Sequence, residues 1–182
     1  MKRIAAVFMV CSLLIGCGLG NSQVNKVSSE AEVKASTVAF GETVQEKELA
    51  EWTVASTKFS KKISPSKQNE FVTYYQNNEE GYTYLDVVIK LTNLKAKQEI
   101  SDQFVKVRIE YDGEEDYGTC VTVEDPEGQG FEFANATFIE PDQTSVLHYY
   151  ASVPEEMASD NKPVKAVITT CEEKVYEVSI RE

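Results

Sequence analysis

The strongest constraint on the fold of this chain is a repeated alternation of apolar and polar residues with a period of two. The clearest run spans residues 84–92, and similar runs occupy 105–111, 146–153 and 175–180. Successive side chains of a β-strand point to opposite faces, so each run predicts a strand with one buried face. Turn residues such as Glu140-Pro141-Asp142 separate the runs. This spacing predicts an all-β sandwich of about seven to nine short strands.

The N-terminus carries a short segment typical of export. Basic residues at 2–3 precede an apolar stretch at 4–15. This stretch is shorter than the roughly 20 residues that a membrane-spanning helix needs. The sequence Leu14-Ile15-Gly16-Cys17 then resembles the lipobox of bacterial lipoproteins. By that resemblance, residues 1–16 are a signal peptide and Cys17 receives the lipid, such as palmitate. We therefore expect a protein anchored by lipid to the extracytoplasmic face of the cell membrane.

Residues 17–46 predict a flexible tether between the lipid and the folded domain. Their small and polar residues, with isolated valines at no sustained period, give no signal for a packed element. The alternation begins near residue 47, so the predicted sandwich covers 47–182. One alternative is that Val38–Val44 adds an edge strand to the domain.

Three segments between residues 48 and 182 resemble a known family. Residues 84–93 resemble its central strand, 138–144 resemble a turn of the form x-x-Pro-Gly-x-x, and 147–156 resemble its late strand with a Val-Pro exit. The family is the immunoglobulin-like domain of unknown function common in lipoproteins of Gram-positive bacteria, related in fold to a secreted mycobacterial immunoglobulin-like antigen. The resemblance implies an immunoglobulin-like antiparallel sandwich at the cell envelope and transfers no catalytic residues. Asp142 replaces the family's turn glycine, and Asp tolerates left-handed backbone better than most residues.

Cys120 and Cys171 are the two cysteines of the predicted sandwich. A translocated domain with two cysteines favours a disulfide. Closing a loop of about 50 residues would contribute roughly 4 kcal/mol in the chain-entropy model. The alternatives are two free buried thiols or a redox pair. Structural zinc is excluded because two thiols lack the further Cys and His ligands that it needs.

Acidic residues outnumber basic residues by 30 to 18, for a net charge of −12. This balance argues against nucleic acid as a partner, because duplex binding needs clustered Lys and Arg. Carboxylates are densest at 110–127, where we expect a solvated acidic face. An alternative is that these loops bind Ca²⁺, a small ligand or a glycan, with Asp112, Asp116 and Asp125 as candidate ligands. A third interpretation is a docking patch for a basic partner. No cofactor is predicted.

The sequence lacks a recognisable catalytic constellation. His148 is the only histidine, and no Gly-x-Ser-x-Gly nucleophile elbow is present. His148 alternates with Leu147 and Tyr149, which predicts a half-exposed strand residue on the wetter face. Carboxylate pairs suited to glycoside hydrolysis arise by chance among so many acids. We therefore expect that the protein is not an enzyme.

Aromatic residues suggest where a partner could bind. Tyrosines concentrate near predicted strands: Tyr74, Tyr75, Tyr82, Tyr84, Tyr149 and Tyr150. In an adjacent pair one ring points inward, while the outward ring either covers the sheet or contacts a sugar or protein. Trp52 is predicted to lie in the core. Together with the anchor, this pattern favours a non-catalytic binding or accessory module whose partner is an envelope protein or glycan.

Overall fold

Two main β-sheets form the protein, in a computed structural model that describes residues 34–67 and 73–182. The five-stranded sheet has the order β1 (Ser36–Val38), β15 (Val175–Arg181), β14 (Val164–Thr170), β8 (Val105–Tyr111) and β9 (Glu115–Gly118). The six-stranded sheet has the order β11 (Phe131–Phe133), β10 (Cys120–Glu124), β13 (Thr144–Pro154), β6 (Tyr82–Asn93), β3 (Ala50–Ser60) and β2 (Thr43–Glu46).

Short elements complete the described part of the chain. Four short strands form two two-stranded sheets. In one, β4 (Lys62–Ile63) pairs with β5 (Tyr75–Gln76); in the other, β7 (Glu99–Ile100) pairs with β12 (Phe138–Ile139). A 3-10 helix spans Ser101–Gln103 and the α-helix α1 spans Glu155–Ser159.

The core lies between the inner faces of the two main sheets, as the alternation predicts. Leu85, Val87, Ile89 and Leu91 are fully buried on β6. Trp52 packs edge-on against Tyr176 at a centroid distance of 5.3 Å, which places it in the predicted core. The buried Tyr149 hydroxyl donates a hydrogen bond to the Val105 carbonyl at 3.1 Å and so links one sheet to the other. The all-β sandwich prediction is confirmed.

The sandwich begins earlier than the predicted boundary at residue 47. Strand β1 pairs in parallel with β15, and β2 pairs antiparallel with β3. The tether prediction is therefore wrong for β1 and β2. The edge-strand alternative is correct in part, because this segment forms two edge strands in different sheets rather than one strand over Val38–Val44. Val38 is buried and Val44 packs against the core, but two apolar residues are too few to produce a periodic signal. The parallel β1 also makes the sandwich not purely antiparallel, and the strands exceed the predicted seven to nine.

The predicted signal peptide at 1–16, the predicted lipidation site Cys17 and the predicted tether up to residue 33 lie outside the described residues. Within the described residues, no helix has the length and apolar character needed to cross a membrane.

The predicted disulfide is not formed, because Cys120 and Cys171 are both free and exposed. Cys120 begins β10 in the six-stranded sheet, opposite Tyr150. Cys171 follows β14 in the other sheet, where its amide donates to the Phe104 carbonyl at 3.1 Å. Packing of the two sheets, rather than a covalent link, holds the sandwich together.

The turn before β13 has the geometry that the sequence predicts. Asp142 has a φ of +60°, so it occupies the left-handed position where the family resemblance expects glycine. Fully buried Asn93 secures this turn, since its carbonyl accepts from the Asp142 amide at 2.8 Å and its side-chain amide donates to the Ile139 carbonyl at 2.8 Å. Two hydrogen bonds to one buried residue fix where β13 starts.

Candidate functional site

The outer face of the six-stranded sheet carries a buried charged cluster. His148 on β13 lies between Asp86 on β6 and Glu124 on β10. Its Nδ1 is 2.9 Å from Asp86 Oδ2, and its Nε2 is 3.0 Å from Glu124 Oε1. The side chains of His148, Asp86 and Glu124 are 6%, 11% and 5% exposed. The prediction of a half-exposed histidine is therefore wrong.

This geometry fits a protonated imidazole. Only the doubly protonated ring donates a hydrogen bond from both nitrogens. Burial by itself lowers the pKa of His148, but the hydrogen bonds and charges of Asp86 and Glu124 outweigh burial and raise the pKa above its ordinary 6.5. The other oxygen of Asp86, Oδ1, is buried without a hydrogen-bond partner among the described residues. His148 is thus the group that balances two buried carboxylates.

Aromatic rings cover this cluster. Tyr75 stacks on Tyr150 at 5.2 Å, and Tyr84 meets Tyr150 edge-on at 5.3 Å. Phe131 packs against Tyr75 at 5.4 Å and edge-on against His148 at 5.2 Å. Burial is the main cause that raises the pKa of the Tyr150 hydroxyl. The tyrosines predicted to point outward therefore mainly cover the sheet, while Tyr74 and Tyr82 remain exposed.

A segment that we call the strap, residues 61–67 and 73–81, holds these rings in place. The Ser66 amide donates to Glu124 Oε1 at 2.8 Å, and the Ser66 hydroxyl donates to Glu124 Oε2 at 2.7 Å. Farther along, the side-chain amide of buried Asn77 donates to Ser152 Oγ at 2.8 Å. The strap is thus bonded to β10 and to β13, on either side of His148.

A groove of about 270 Å³ lies beside the cluster, where β10 and β13 diverge. The β13–β10 pairing ends at Leu147, but the β13–β6 pairing continues to Thr144. Among the described residues, Thr144–Val146 therefore has a strand neighbour on one side only. Facing it are the loop at 124–128 and the strap residues Ser66 and Lys67, whose amide donates to the Gly128 carbonyl at 2.7 Å.

The groove is acidic and has an apolar rim. Asp125, Glu127 and Glu132 line it, and Lys67 is the one cation among the described lining residues. Phe138 also lines the groove and is 49% exposed, while Phe133, next to Glu132 on β11, is 76% exposed. Exposed aromatic rings beside carboxylates are more typical of a contact surface than of a solubilising face.

The structure does not bring the calcium candidates together. Asp112 pairs with Lys162 at 3.0 Å, and Asp116 pairs with Arg108. Asp125 lies in the other sheet's β10–β11 loop, where it accepts the Gln129 amide at 2.8 Å. No group of three or more His, Cys, Asp or Glu in the described ranges is arranged to hold a metal ion. The alternative in which Asp112, Asp116 and Asp125 share one Ca²⁺ ion is therefore not supported.

The Ser66–Glu124–His148 arrangement differs from a nucleophilic triad. A serine nucleophile needs its hydroxyl bonded to the imidazole that takes the proton. Ser66 instead donates to the carboxylate of Glu124, and both nitrogens of His148 are occupied by carboxylates. The cluster is arranged to position the strap rather than to activate Ser66.

The sequence did not predict this cluster, because the alternation within a strand does not specify which residues of neighbouring strands lie side by side. The available signals were a carboxylate inside an apolar run, at Asp86, and the single histidine on the same predicted outer face. Glu124 joins them only through pairing of β10 with β13, a contact between distant parts of the chain.

Comparison with solved structures shows the class of fold. The chain is similar to an uncharacterized β-sandwich protein from Clostridium difficile 630, with a TM-score of 0.75 and 23% identity over 85% of this chain and 99% of that one. It is also similar to a conserved hypothetical protein from Bacillus anthracis, with a TM-score of 0.53 and 12% identity over 79% of this chain and 94% of that one. No family model and no curated protein matches the chain. These similarities show a β-sandwich fold.

Proposed function

We propose that the protein is a lipid-anchored extracytoplasmic lipoprotein whose sandwich is a non-catalytic binding module. Its groove would receive an extended, positively charged segment of another envelope protein. The observation that carries this proposal is the one-sided strand at Thr144–Val146, facing a loop with Asp125 and Glu127 across the groove.

A strand with an open side binds an extended peptide by adding it to the sheet, through main-chain hydrogen bonds. The carboxylates of Asp125, Glu127 and Glu132 would select basic side chains on that peptide and repel acidic ones. Phe138 would supply apolar contact area at the rim. Charge, strand geometry and aromatic rim thus favour the same class of partner.

The anchor places this module at the membrane. In the proposal, the lipid on Cys17 retains the protein at the surface, and the residues between Cys17 and β1 join the lipid to the sandwich. Two or three acyl chains provide a stable anchor, since each buried CH₂ contributes about 0.8 kcal/mol.

Site-specific crosslinking tests the binding surface. A photo-crosslinking residue would replace Phe138 in intact cells, with Glu114 in the exposed β8–β9 turn as the matched control. We expect one discrete protein adduct from position 138 and none from 114, and loss of that adduct in the double variant Asp125→Lys, Glu127→Lys. No adduct, or the same adduct from both positions, would contradict a groove-specific partner. A glycan adduct would contradict a peptide partner and would indicate a wall polymer instead.

Metabolic labelling tests the anchor. We expect a labelled fatty acid to enter the wild-type protein and the protein to partition into detergent, while Cys17→Ser loses both properties. Equal labelling of Cys17→Ser would rule out this anchor, whatever the crosslinking shows.

A further inference from the structure

We propose that His148 is a proton-dependent latch that holds the strap against the six-stranded sheet and thereby fixes one wall of the groove. Protonated His148 keeps Glu124 in the position that binds Ser66, and loss of the proton releases Glu124 and Ser66 together. The latch itself is independent of any partner; its consequence for binding rests on the function proposed above.

A continuous chain of hydrogen bonds connects the sheet to the groove. Asp86 Oδ2 bonds His148 Nδ1, His148 Nε2 bonds Glu124 Oε1, and Glu124 accepts both the amide and the hydroxyl of Ser66. Ser66 and Lys67 then form one side of the groove, where the Lys67 amide bonds the Gly128 carbonyl. A change at the imidazole therefore reaches the groove through the side chains of Glu124 and Ser66.

Deprotonation removes one of the two donors on which this chain depends. A neutral imidazole has one N–H, so one carboxylate then faces an unprotonated nitrogen. Asp86 has no other donor to turn to, because its Oδ1 is already without a partner in the described residues. Glu124 is then the carboxylate left without a donor from the ring, so it turns away from His148 and its hydrogen bonds with the Ser66 amide and hydroxyl break.

The surrounding groups do not replace the lost cation. Lys58 lies opposite Asp86 on β3, Lys90 lies two strand positions beyond Val88 on β6, and Lys67 lies on the strap; all three are exposed. The uncharged neighbours of the ring include Val88 on β6, Thr122 on β10 and Phe131 on β11. Tyr75, Tyr84 and Tyr150 form the aromatic cover. Within the described ranges, His148 is thus the buried cation for both carboxylates.

The direction of the pH effect follows from the raised pKa of His148. A group whose pKa is higher in the latched state than its ordinary 6.5 stabilises that state fully below 6.5. This stabilisation is lost as pH rises through the raised pKa. The equilibrium for strap opening would increase by up to tenfold for each pH unit that separates the two pKa values.

Hydrogen exchange of the full chain, without a partner, tests the latch. Protection factors of the Ser66 and Lys67 amides, corrected for intrinsic exchange, would be measured between pH 5.5 and 9.5, with the core amide of Val87 as reference. We expect protection at both strap amides to fall, relative to Val87, as pH rises through the pKa of His148, by up to tenfold for each unit by which that pKa exceeds 6.5. Constant relative protection would overturn the proposal.

Two variants distinguish the latch from a general change in strap stability. Glu124→Gln preserves shape and removes one charge that requires the cation, so the pH dependence at Ser66 should flatten. Ser152→Ala removes the Asn77 tie at the other end of the strap, and we expect it to lower strap protection without altering the pH dependence. A pH dependence that persists in Glu124→Gln would contradict the latch, even if crosslinking at position 138 succeeds.

Discussion

The outer faces of the two sheets use similar charged residues in opposite ways. On the five-stranded sheet, Lys165 pairs with Glu177 at 3.1 Å and approaches Glu110 at 3.8 Å, with its side chain 40% exposed. On the six-stranded sheet, His148 pairs with Asp86 and Glu124 at comparable distances, but it is almost fully buried. The distance between two charged groups therefore does not by itself determine how much the pair contributes to the stability of the fold.

Burial decides the difference. A surface pair gains little, since water screens it and its side chains lose freedom, and its median contribution is about 0–1 kcal/mol. A buried pair has lost its hydration, so removing one member leaves an uncompensated charge in the interior. Phe131 and the strap bonded to Glu124 lie beside His148, while the Lys165 side chain is 40% exposed.

The largest expected effect is that of His148→Gln. This change leaves Asp86 and Glu124 buried without their cation, and we expect it to lower the free energy of unfolding by about 3–5 kcal/mol. Urea unfolding measures the loss. The triple variant Asp86→Asn, His148→Gln, Glu124→Gln serves as the control, because it removes the buried charges together and should recover part of the stability. A loss below about 1 kcal/mol would place His148 in the same class as Lys165.

The pH dependence of stability sharpens the comparison. The folded pKa of His148 is raised, so its stabilisation is complete below pH 6.5 and disappears as pH rises through the folded value. Each unit by which the pKa of the folded state exceeds the pKa of the unfolded state corresponds to about 1.4 kcal/mol of stability. Urea unfolding at a series of pH values should show wild-type stability declining above 6.5, relative to the triple variant. Parallel curves for the two proteins would show that His148 does not contribute in this way.

Removal of the Tyr149 hydroxyl tests a neutral hydrogen bond between the sheets. Tyr149→Phe keeps the ring in the core but deletes the donor to the Val105 carbonyl. We expect a loss of about 1–2 kcal/mol, smaller than that of His148→Gln because no charge is left unpaired. Thermal and urea unfolding would measure this loss of stability. A loss equal to that of His148→Gln would contradict the larger contribution assigned to the buried charges.

The smallest expected effect is that of Lys165→Ala. Its partners Glu110 and Glu177 remain hydrated, so we expect a change within about 1 kcal/mol. A matched measurement in high salt should leave the difference near zero. A loss of several kcal/mol would show that the five-stranded face is also tightly coupled.

The strand pattern predicted the sandwich because alternation is a local property of the sequence. Leu85–Leu91 and the turn at Asp142 have the burial and backbone geometry that their residue types favour. Strands β1 and β2 were not predicted from the alternation, since each contributes few buried residues and depends on a partner strand.

The candidate site was less accessible from the sequence. The assembly of Asp86, Glu124 and His148 depends on the register of β6, β13 and β10, and the one-sided strand at Thr144–Val146 depends on where β10 leaves β13. The disulfide prediction was wrong, and the Ca²⁺ alternative found no support, because residue type and spacing do not specify which sheet a loop joins.

The charge state of the only imidazole tests the central claim most directly. Because the chain contains one histidine, its side-chain ¹⁵N resonances identify His148 without ambiguity. At pH 6.5, the ordinary pKa of histidine, we predict that the ring with protons on both Nδ1 and Nε2 predominates, because the pKa of His148 is raised. A ring that mostly has one protonated nitrogen at pH 6.5, titrating below that value, would contradict the imidazolium that joins the two carboxylates.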